Sequence, residues 1–233
     1  MTSSDARNFV AWAQPSWRWR TVGLAAGVLN CAFVVESLLP GATPASSTVV
    51  SDLAADGRPG HLLFRAADGL SALLLLAMAA ALWRAARPAG QRPPVTAWWL
   101  STVGVATFAL STFGAALVSK RCSGCTPSDA PDWQDRVHDV ISTLGTTGGV
   151  LAALGLAIAT RRRRPVSAAH LSSFLLAGGL GVLFSVAEVT GGLGWIGWPQ
   201  RAQIVVLSAW FVVIGWTLDL RPGPPDDDPS LTV

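Results

Sequence analysis

The densest group of reactive side chains in this sequence lies in one stretch, KRCSGCTPSDAPDWQDRVHDVIS, residues 120–142. It contains two of the three cysteines, one of the three histidines and four aspartates. Such side chains could bind a metal ion or act in catalysis. They could equally form a loop that a membrane protein exposes outside the cytoplasm. The choice depends on the elements that flank the stretch.

The two cysteines of this stretch, Cys122 and Cys125, form a CxxC motif. A zinc site of this kind needs a second CxxC, and the sequence has none. A redox CxxC normally begins a helix beside a βαβ unit, whereas this one lies in a Pro-, Ser- and Asp-rich loop. We therefore predict a disulfide between Cys122 and Cys125 in an extracytoplasmic loop. Reactive or metal-bound thiols are the alternatives, and we expect no metal site and no cofactor.

The composition indicates that the chain needs an apolar solvent for much of its surface. Of its 233 residues, 51% are hydrophobic and only 13% are charged. Soluble domains carry about 25% charged residues. Eleven tryptophans and no tyrosine also suit a membrane protein, because tryptophan favours the membrane–water interface. The arginines punctuate apolar segments and form no basic stripe, which argues against nucleic-acid binding.

Six segments are long and apolar enough to cross a bilayer, which takes about 20 residues. We predict an all-α bundle of six transmembrane helices within residues 21–220. A cytoplasmic or interfacial N-terminal segment (1–20) precedes it, and a disordered cytoplasmic tail (221–233) follows it. The predicted helices are Thr21–Pro40, Leu62–Trp83, about Thr96–Val118, about Val137–Thr160, about Ser167–Val189 and about Gln200–Leu220.

The arginines predict the orientation of these helices. Six crossings place Arg18, Arg84, Arg161–Arg164 and Arg221 on one side, and cytoplasmic loops are enriched in Arg and Lys. We therefore expect a plasma-membrane protein whose N- and C-termini both lie in the cytoplasm. The loop with Cys122 then lies outside.

Ionisable residues inside apolar helices are costly and mark candidate sites. They are few here, and they concentrate in the outer half of the predicted bundle. Arg65 and Asp68 lie three residues apart, so they can pair on one helix face. The candidate ligand-binding set is Glu36, Arg65, Asp68, His138, Glu188 and Arg201.

Small residues predict which way two of these side chains point. His138 shares a helix face with Ser142, Gly145 and Gly149, and Glu188 shares one with Gly178, Gly181 and Ser185. Small residues let helices approach closely in lipid, so both faces are expected to point into the bundle. Asn30 shares a face with Gly23 and Gly27 and is expected to hydrogen-bond to another helix.

Three interpretations of this outer cluster stay open. The first is a structural network of ion pairs and hydrogen bonds between helices. The second is a site that binds a lipid. The third is a catalytic site built from His138, Asp139, Asp68 and Glu188. The sequence contains no HExxH and no GxSxG motif, which leaves the third without a known catalytic signature.

Two segments resemble a known family. VVSDLAADGRPGHLLFRAADGLSALLL, residues 49–76, and CSGCTPSDAPDWQDRVHD, residues 122–139, are similar to bacterial six-span proteins of the domain of unknown function 998 (DUF 998). In that family an S-D/E-L motif, here Ser51–Leu53, precedes a phenylalanine and a long apolar helix, and a histidine begins the fourth helix. A more distant likeness is to the Frag1/DRAM/Sfk1 membrane proteins. The resemblance implies a multi-pass membrane protein and no particular activity.

We therefore expect a non-enzymatic envelope protein whose outer polar pocket binds a membrane lipid or a protein partner. The alternative is a membrane-embedded lipid hydrolase or transferase. A small-solute or proton-coupled transporter is third, because no ionisable residue lies near mid-membrane, where transporter sites usually sit. The sequence predicts no particular lipid and no oligomeric state.

Overall fold

Six long α-helices dominate the computed structural model, which describes residues 18–39, 48–86, 95–118, 120–121, 133–190 and 194–219. A 3₁₀ helix (Ala32–Leu38) follows α1, and a second 3₁₀ helix (Val50–Ala54) precedes α2. The long helices are α1 (Arg18–Asn30), α2 (His61–Ala86), α3 (Val95–Leu117), α4 (Trp133–Ala159), α5 (Arg164–Val189) and α6 (Gly197–Asp219). Cys122 and Cys125 lie outside the described residues, so their disulfide stays a prediction.

The six predicted transmembrane segments are confirmed as helices. Each forms a helical span of 21 to 27 apolar residues, where the first combines α1 with its 3₁₀ extension. That length is enough to cross a hydrocarbon core of about 30 Å. Large aliphatic side chains such as Leu24, Leu110 and Leu175 lie exposed on the outside of the bundle, as lipid contact requires.

The first span differs from the prediction of one continuous α-helix. The α-helix ends at Asn30, and the chain continues in the tighter winding of the first 3₁₀ helix. In this winding Glu36 is buried and reaches α6, where it meets Arg201. The change in helix type thus gives an orientation to Glu36, for which the spacing rules of an α-helix predict none.

The helices form a closed ring. Each helix packs against its neighbours in the sequence, and α6 closes the ring against α1. Glycines allow these close approaches: a Cβ on Gly27 would lie 2.7 Å from the Ser208 carbonyl oxygen, and one on Gly104 would lie 2.5 Å from that of Gly148. Asn30 donates to Ser208 Oγ at 2.9 Å, which confirms its predicted bond to another helix.

Contacts at the helix ends show that neighbouring helices alternate in direction. Asp219, the last residue of α6, accepts hydrogen bonds from the backbone N–H groups of Trp19 and Arg20 at the start of α1. At the opposite end, Arg65 in α2 donates to the carbonyl oxygen of Ala116 near the end of α3. We call the end that contains Asp219 and Arg161–Arg164 the arginine-rich end, and the other the cavity end.

The two 3₁₀ helices pack together at the cavity end. Phe33, Leu53, Ala54 and Phe64 form a small apolar core there, separate from the main core of the ring. The backbone N–H of Val50 donates to Gln200 Oε1 at the start of α6. These contacts hold the second 3₁₀ helix against the end of the ring.

Candidate functional site

The ring contains a cavity of about 910 Å³. It lies near the end of the ring opposite Asp219 and Arg161–Arg164, which is why we named that end the cavity end. Residues from all six helices and from the second 3₁₀ helix line it. Most of its lining surface is apolar, and hydroxyl, amide and ionisable side chains interrupt it. The polar residues are Asn30, Ser51, Asp68, Ser111, Thr112, His138, Ser142, Thr143, Thr146, Thr147, Ser185, Glu188, Thr190, Gln200 and Gln203.

The wall of the cavity is open along α4 and α5. The lining residues that are exposed, among those the structure describes, belong to these two helices or directly follow α5, for example Thr143, Thr147, Val182 and Ser185. Lining residues from the other elements are buried or half-buried. Only 11% of the 18-residue apolar stretch of α5 is buried in the protein, against 50% of the corresponding stretch of α6. A molecule in the surrounding bilayer could therefore reach the cavity between α4 and α5.

His138 is the most deeply buried ionisable residue of the wall, with 3% of its surface exposed. Its Nδ1 lies 2.8 Å from the carbonyl oxygen of Val118. A carbonyl only accepts, so Nδ1 carries the proton and the Nε2 of the neutral ring is an acceptor. Nε2 is buried and has no hydrogen-bond partner among the described residues. The predicted inward orientation of His138 is confirmed, and its second nitrogen is left available to a ligand.

Asp68 and Glu188 line the same cavity as His138. The predicted pairing of Asp68 with Arg65 is wrong. Arg65 instead pairs with Asp56 at 3.0 Å and donates to two backbone carbonyls at the end of α3. Asp68 is half-buried and has no ion pair or hydrogen bond within the described part of the chain. Its carboxyl group is therefore directed to the cavity without a protein cation.

Glu36 and Arg201 form a buried ion pair away from the cavity wall. Their side chains meet at 2.8 Å, and the residues are 7% and 5% exposed. Arg201 also donates to the carbonyl oxygens of Thr48 and Gly197. This pair joins the first 3₁₀ helix, the segment before the second one and α6. The pair therefore has the geometry of a structural contact that holds these elements together.

Asp139 lies beside His138 in the sequence but does not line the cavity. It pairs with Lys120 at 2.7 Å, and its side chain is 55% exposed. Asp52, from the S-D-L motif, lies at the same corner. Burial raises the pKa of the Asp52 carboxyl, while Lys120 and Arg58 act on it in the opposite direction. Of the four residues proposed for catalysis, the cavity collects Asp68, His138 and Glu188.

The hydroxyl groups of the wall were not among the predicted site residues. Thr143, Thr146 and Thr147 follow Ser142 on α4, and Ser111 and Thr112 face them from α3. A signal existed in the sequence, because a cluster of hydroxyls interrupts two otherwise apolar spans. Single hydroxyls in membrane helices satisfy themselves on their own backbone, so the cluster by itself did not indicate a cavity.

His170 on α5 was also missed, and it belongs to a separate buried group near the arginine-rich end. It is 0% exposed, and Trp210 Nε1–H donates to its Nδ1 at 2.9 Å. Its Nε2 lies 2.8 Å from the hydroxyl of Thr217. Both ring nitrogens are thus satisfied. No group of three or more His, Cys, Asp or Glu side chains in the described residues is placed to hold a metal ion.

These features define a multi-pass membrane protein with six helical spans and a polar cavity inside the ring. The chain belongs to the family described as protein of unknown function (DUF998), whose sequence model matches residues 21–217. The match covers at least part of every one of the six helices and confirms the family resemblance seen in the sequence. No curated protein and no solved structure matches the chain.

Proposed function

We propose that this protein is a non-enzymatic protein of a bacterial plasma membrane that binds a membrane amphiphile in its cavity. The observation that carries the proposal is the 910 Å³ cavity whose wall is open along α4 and α5. Small-molecule sites typically measure about 300–1,000 Å³. The cavity therefore has the size of a ligand site, and an opening along two membrane-spanning helices would let a lipid enter from the bilayer.

The polarity of the wall supports an amphiphile over a purely apolar ligand. Asp68, His138 and Glu188 contribute ionisable groups that an apolar molecule would leave without partners, which is costly in a membrane. Val182, Val186 and Val189 on α5 contribute apolar surface at the opening. A polar head would occupy the inside of the cavity, and a hydrocarbon chain would extend between α4 and α5.

The distribution of arginines supports an outer-leaflet origin of the ligand. Arg84 and Arg161–Arg164 lie at the end of the ring opposite the cavity. If the arginine-rich end is cytoplasmic, as cytoplasmic loops usually are rich in Arg, both termini lie in the cytoplasm and the cavity opens to the outer leaflet.

A lipid hydrolase or transferase is the second candidate, and one observation favours it. A histidine whose Nδ1–H is held by a carbonyl and whose Nε2 is free has the geometry of a general base. Asp139 has no part in this version, because it pairs with Lys120 outside the cavity.

A tryptophan at the opening tests the proposal. Ser185 lines the cavity on α5, and Ser172 is exposed on the same helix outside the cavity. Native mass spectrometry of the protein released from membranes should detect a bound amphiphile in wild type and in Ser172→Trp. Ser185→Trp should retain at least about tenfold less, because the indole fills the opening. Equal retention in all three would show that any bound lipid sits elsewhere.

A further inference from the structure

The ionisable groups of the cavity wall all act as acceptors, and this restricts the ligand. The carboxyl groups of Asp68 and Glu188 accept when ionised. His138 Nε2 also accepts, because the proton of the neutral ring is on Nδ1. No arginine or lysine lines the cavity among the described residues. The ionisable part of the wall therefore offers oxygen and nitrogen lone pairs without N–H donors.

Four of the nine hydroxyl groups of the wall follow the same pattern. The other five keep a proton that they can donate: Ser51, Ser111, Ser142, Thr143 and Thr147. Thr112, Thr146, Ser185 and Thr190 each donate their proton to a backbone carbonyl of their own helix, four residues earlier in the sequence. Their remaining hydrogen-bonding capacity is the lone pairs on oxygen. These four hydroxyls thus face a ligand as acceptors.

Two of the three amide side chains of the wall donate within the protein, whereas Gln200 accepts from the Val50 N–H and keeps its Nε2 donors. Gln203 Nε2 donates to the Ala177 carbonyl and Asn30 Nδ2 donates to Ser208 Oγ, both at 2.8–2.9 Å. The nearby cations are also directed elsewhere, since Arg65 binds Asp56 and Arg201 binds Glu36. The ionisable groups of the wall are therefore acceptors with an acidic balance, and the donors that it offers are neutral hydroxyl and amide groups.

We propose that the cavity binds the protonated amine of an amphiphile, with Asp68 as its counter-ion and His138 Nε2 as a second acceptor. An ammonium group has three N–H donors and no acceptor, so it complements this wall. It would also give Asp68 the opposite charge that none of the described residues supplies. An anionic headgroup would be repelled by the carboxylates of Asp68 and Glu188. The inference rests on the proposed function, because it names the ligand class of the same cavity.

The test uses the full chain in nanodiscs of phosphatidylcholine. This lipid was chosen because its headgroup has no N–H donor and so does not compete with the amine probe. The probes share a twelve-carbon chain and differ in the head: dodecylammonium, dodecyltrimethylammonium, dodecanol and dodecanoate. A ligand that binds only the folded state raises the thermal midpoint in a saturable way. We expect dodecylammonium to bind at least about tenfold more tightly than the other three, a difference of about 1.4 kcal/mol.

Two variants and one control connect the preference to the cavity. Asp68→Asn should weaken dodecylammonium binding at least about tenfold, and Glu188→Gln should weaken it less, because Glu188 is exposed. Asp139→Asn removes a carboxylate on the same helix as His138 outside the cavity and should leave binding unchanged. Unchanged binding by Asp68→Asn, in a protein that still folds, would overturn the assignment.

The remaining outcomes separate this inference from the proposed function. Dodecanol or dodecanoate binding as tightly as dodecylammonium would overturn the amine and leave an amphiphile site. Equal binding of the trimethylammonium probe would overturn the role of N–H donors. No binding of any probe, with no retained lipid in wild type, would overturn both proposals. A second experiment adds phosphatidylethanolamine to the nanodisc and tests the source of the amine. Selective retention of phosphatidylethanolamine by the protein would identify an aminophospholipid as the ligand. If the protein binds dodecylammonium but retains no phosphatidylethanolamine, the ligand is a single-chain amine.

Discussion

Two buried histidines of this ring have opposite surroundings. At His170 every ring nitrogen has a partner: Trp210 donates to Nδ1, and Nε2 donates to Thr217. At His138, within the described part of the chain, only Nδ1 has one, and the ring borders a cavity of about 910 Å³. Buried polar groups are nearly always satisfied, so a satisfied group indicates structure, and an orphan beside open space marks an atom for an ordered water or a ligand to satisfy. The comparison shows that residue type alone does not distinguish a structural histidine from one that is available to a ligand.

The Glu36–Arg201 pair belongs with His170 on the structural side of this comparison, and breaking it should have the largest effect on stability. Glu36→Gln leaves Arg201 charged and buried without its counter-ion, which costs about 3–5 kcal/mol. Asp139→Asn is the control, because its exposed pair with Lys120 should contribute about 0–1 kcal/mol. Thermal unfolding in detergent would measure both. Equal effects would show that burial does not separate the two pairs.

The second effect in size comes from the two histidines themselves. His170→Ala should destabilise the protein by about 2–4 kcal/mol, because it opens a void in the core and leaves the Trp210 N–H without an acceptor. His138→Ala removes one hydrogen bond beside an existing cavity and should cost about 1 kcal/mol. The same unfolding assay at matched expression compares them. A larger loss for His138→Ala would assign it a structural role instead.

The smallest effect is the pH dependence of Asp52. Burial raises the pKa of its carboxyl in the folded protein, although Lys120, Arg58 and His138 oppose the shift and Asp139 adds to it. The native state therefore holds this proton more tightly than the unfolded chain. That contribution to stability is present below the unfolded pKa and is lost as pH rises through the folded pKa. Asp52→Asn should remove this loss.

Unfolding curves from pH 4 upward would compare the Asp52→Asn variant with wild type. We expect the variant to become relatively more stable as pH rises towards neutrality. A variant that loses stability relative to wild type at neutral pH would mean that attraction between Asp52 and Lys120 outweighs the cost of burial.

The sequence was sufficient to predict the six spans, because the bilayer imposes a length and a composition on each of them, and the closing of the ring between α6 and α1 came from the structure. It was also sufficient to orient His138 and Asn30, because small residues mark the helix faces that touch. It was not sufficient for Arg65, because its partner Asp56 lies in the irregular segment just before α2, where helical spacing does not apply. Glu36 was equally out of reach, because an α-helical wheel does not apply to a 3₁₀ helix.

The cavity itself could not be predicted from spacing, since an empty volume depends on how far α4 and α5 diverge. The hydroxyls on α3 and α4 were visible in the sequence, but their meeting across one space was not. The charges that line the cavity were visible as well. Which of them lacked a protein partner required the three-dimensional packing of all six helices.

A density map of the protein in lipid nanodiscs, at side-chain resolution, tests the central claim most directly. The account predicts an elongated density that extends between α4 and α5, with its polar end within hydrogen-bonding distance of Asp68 and His138 Nε2. A cavity that contains only water, or that closes as α5 packs against α4, would contradict the account. His138 would then be a structural residue like His170.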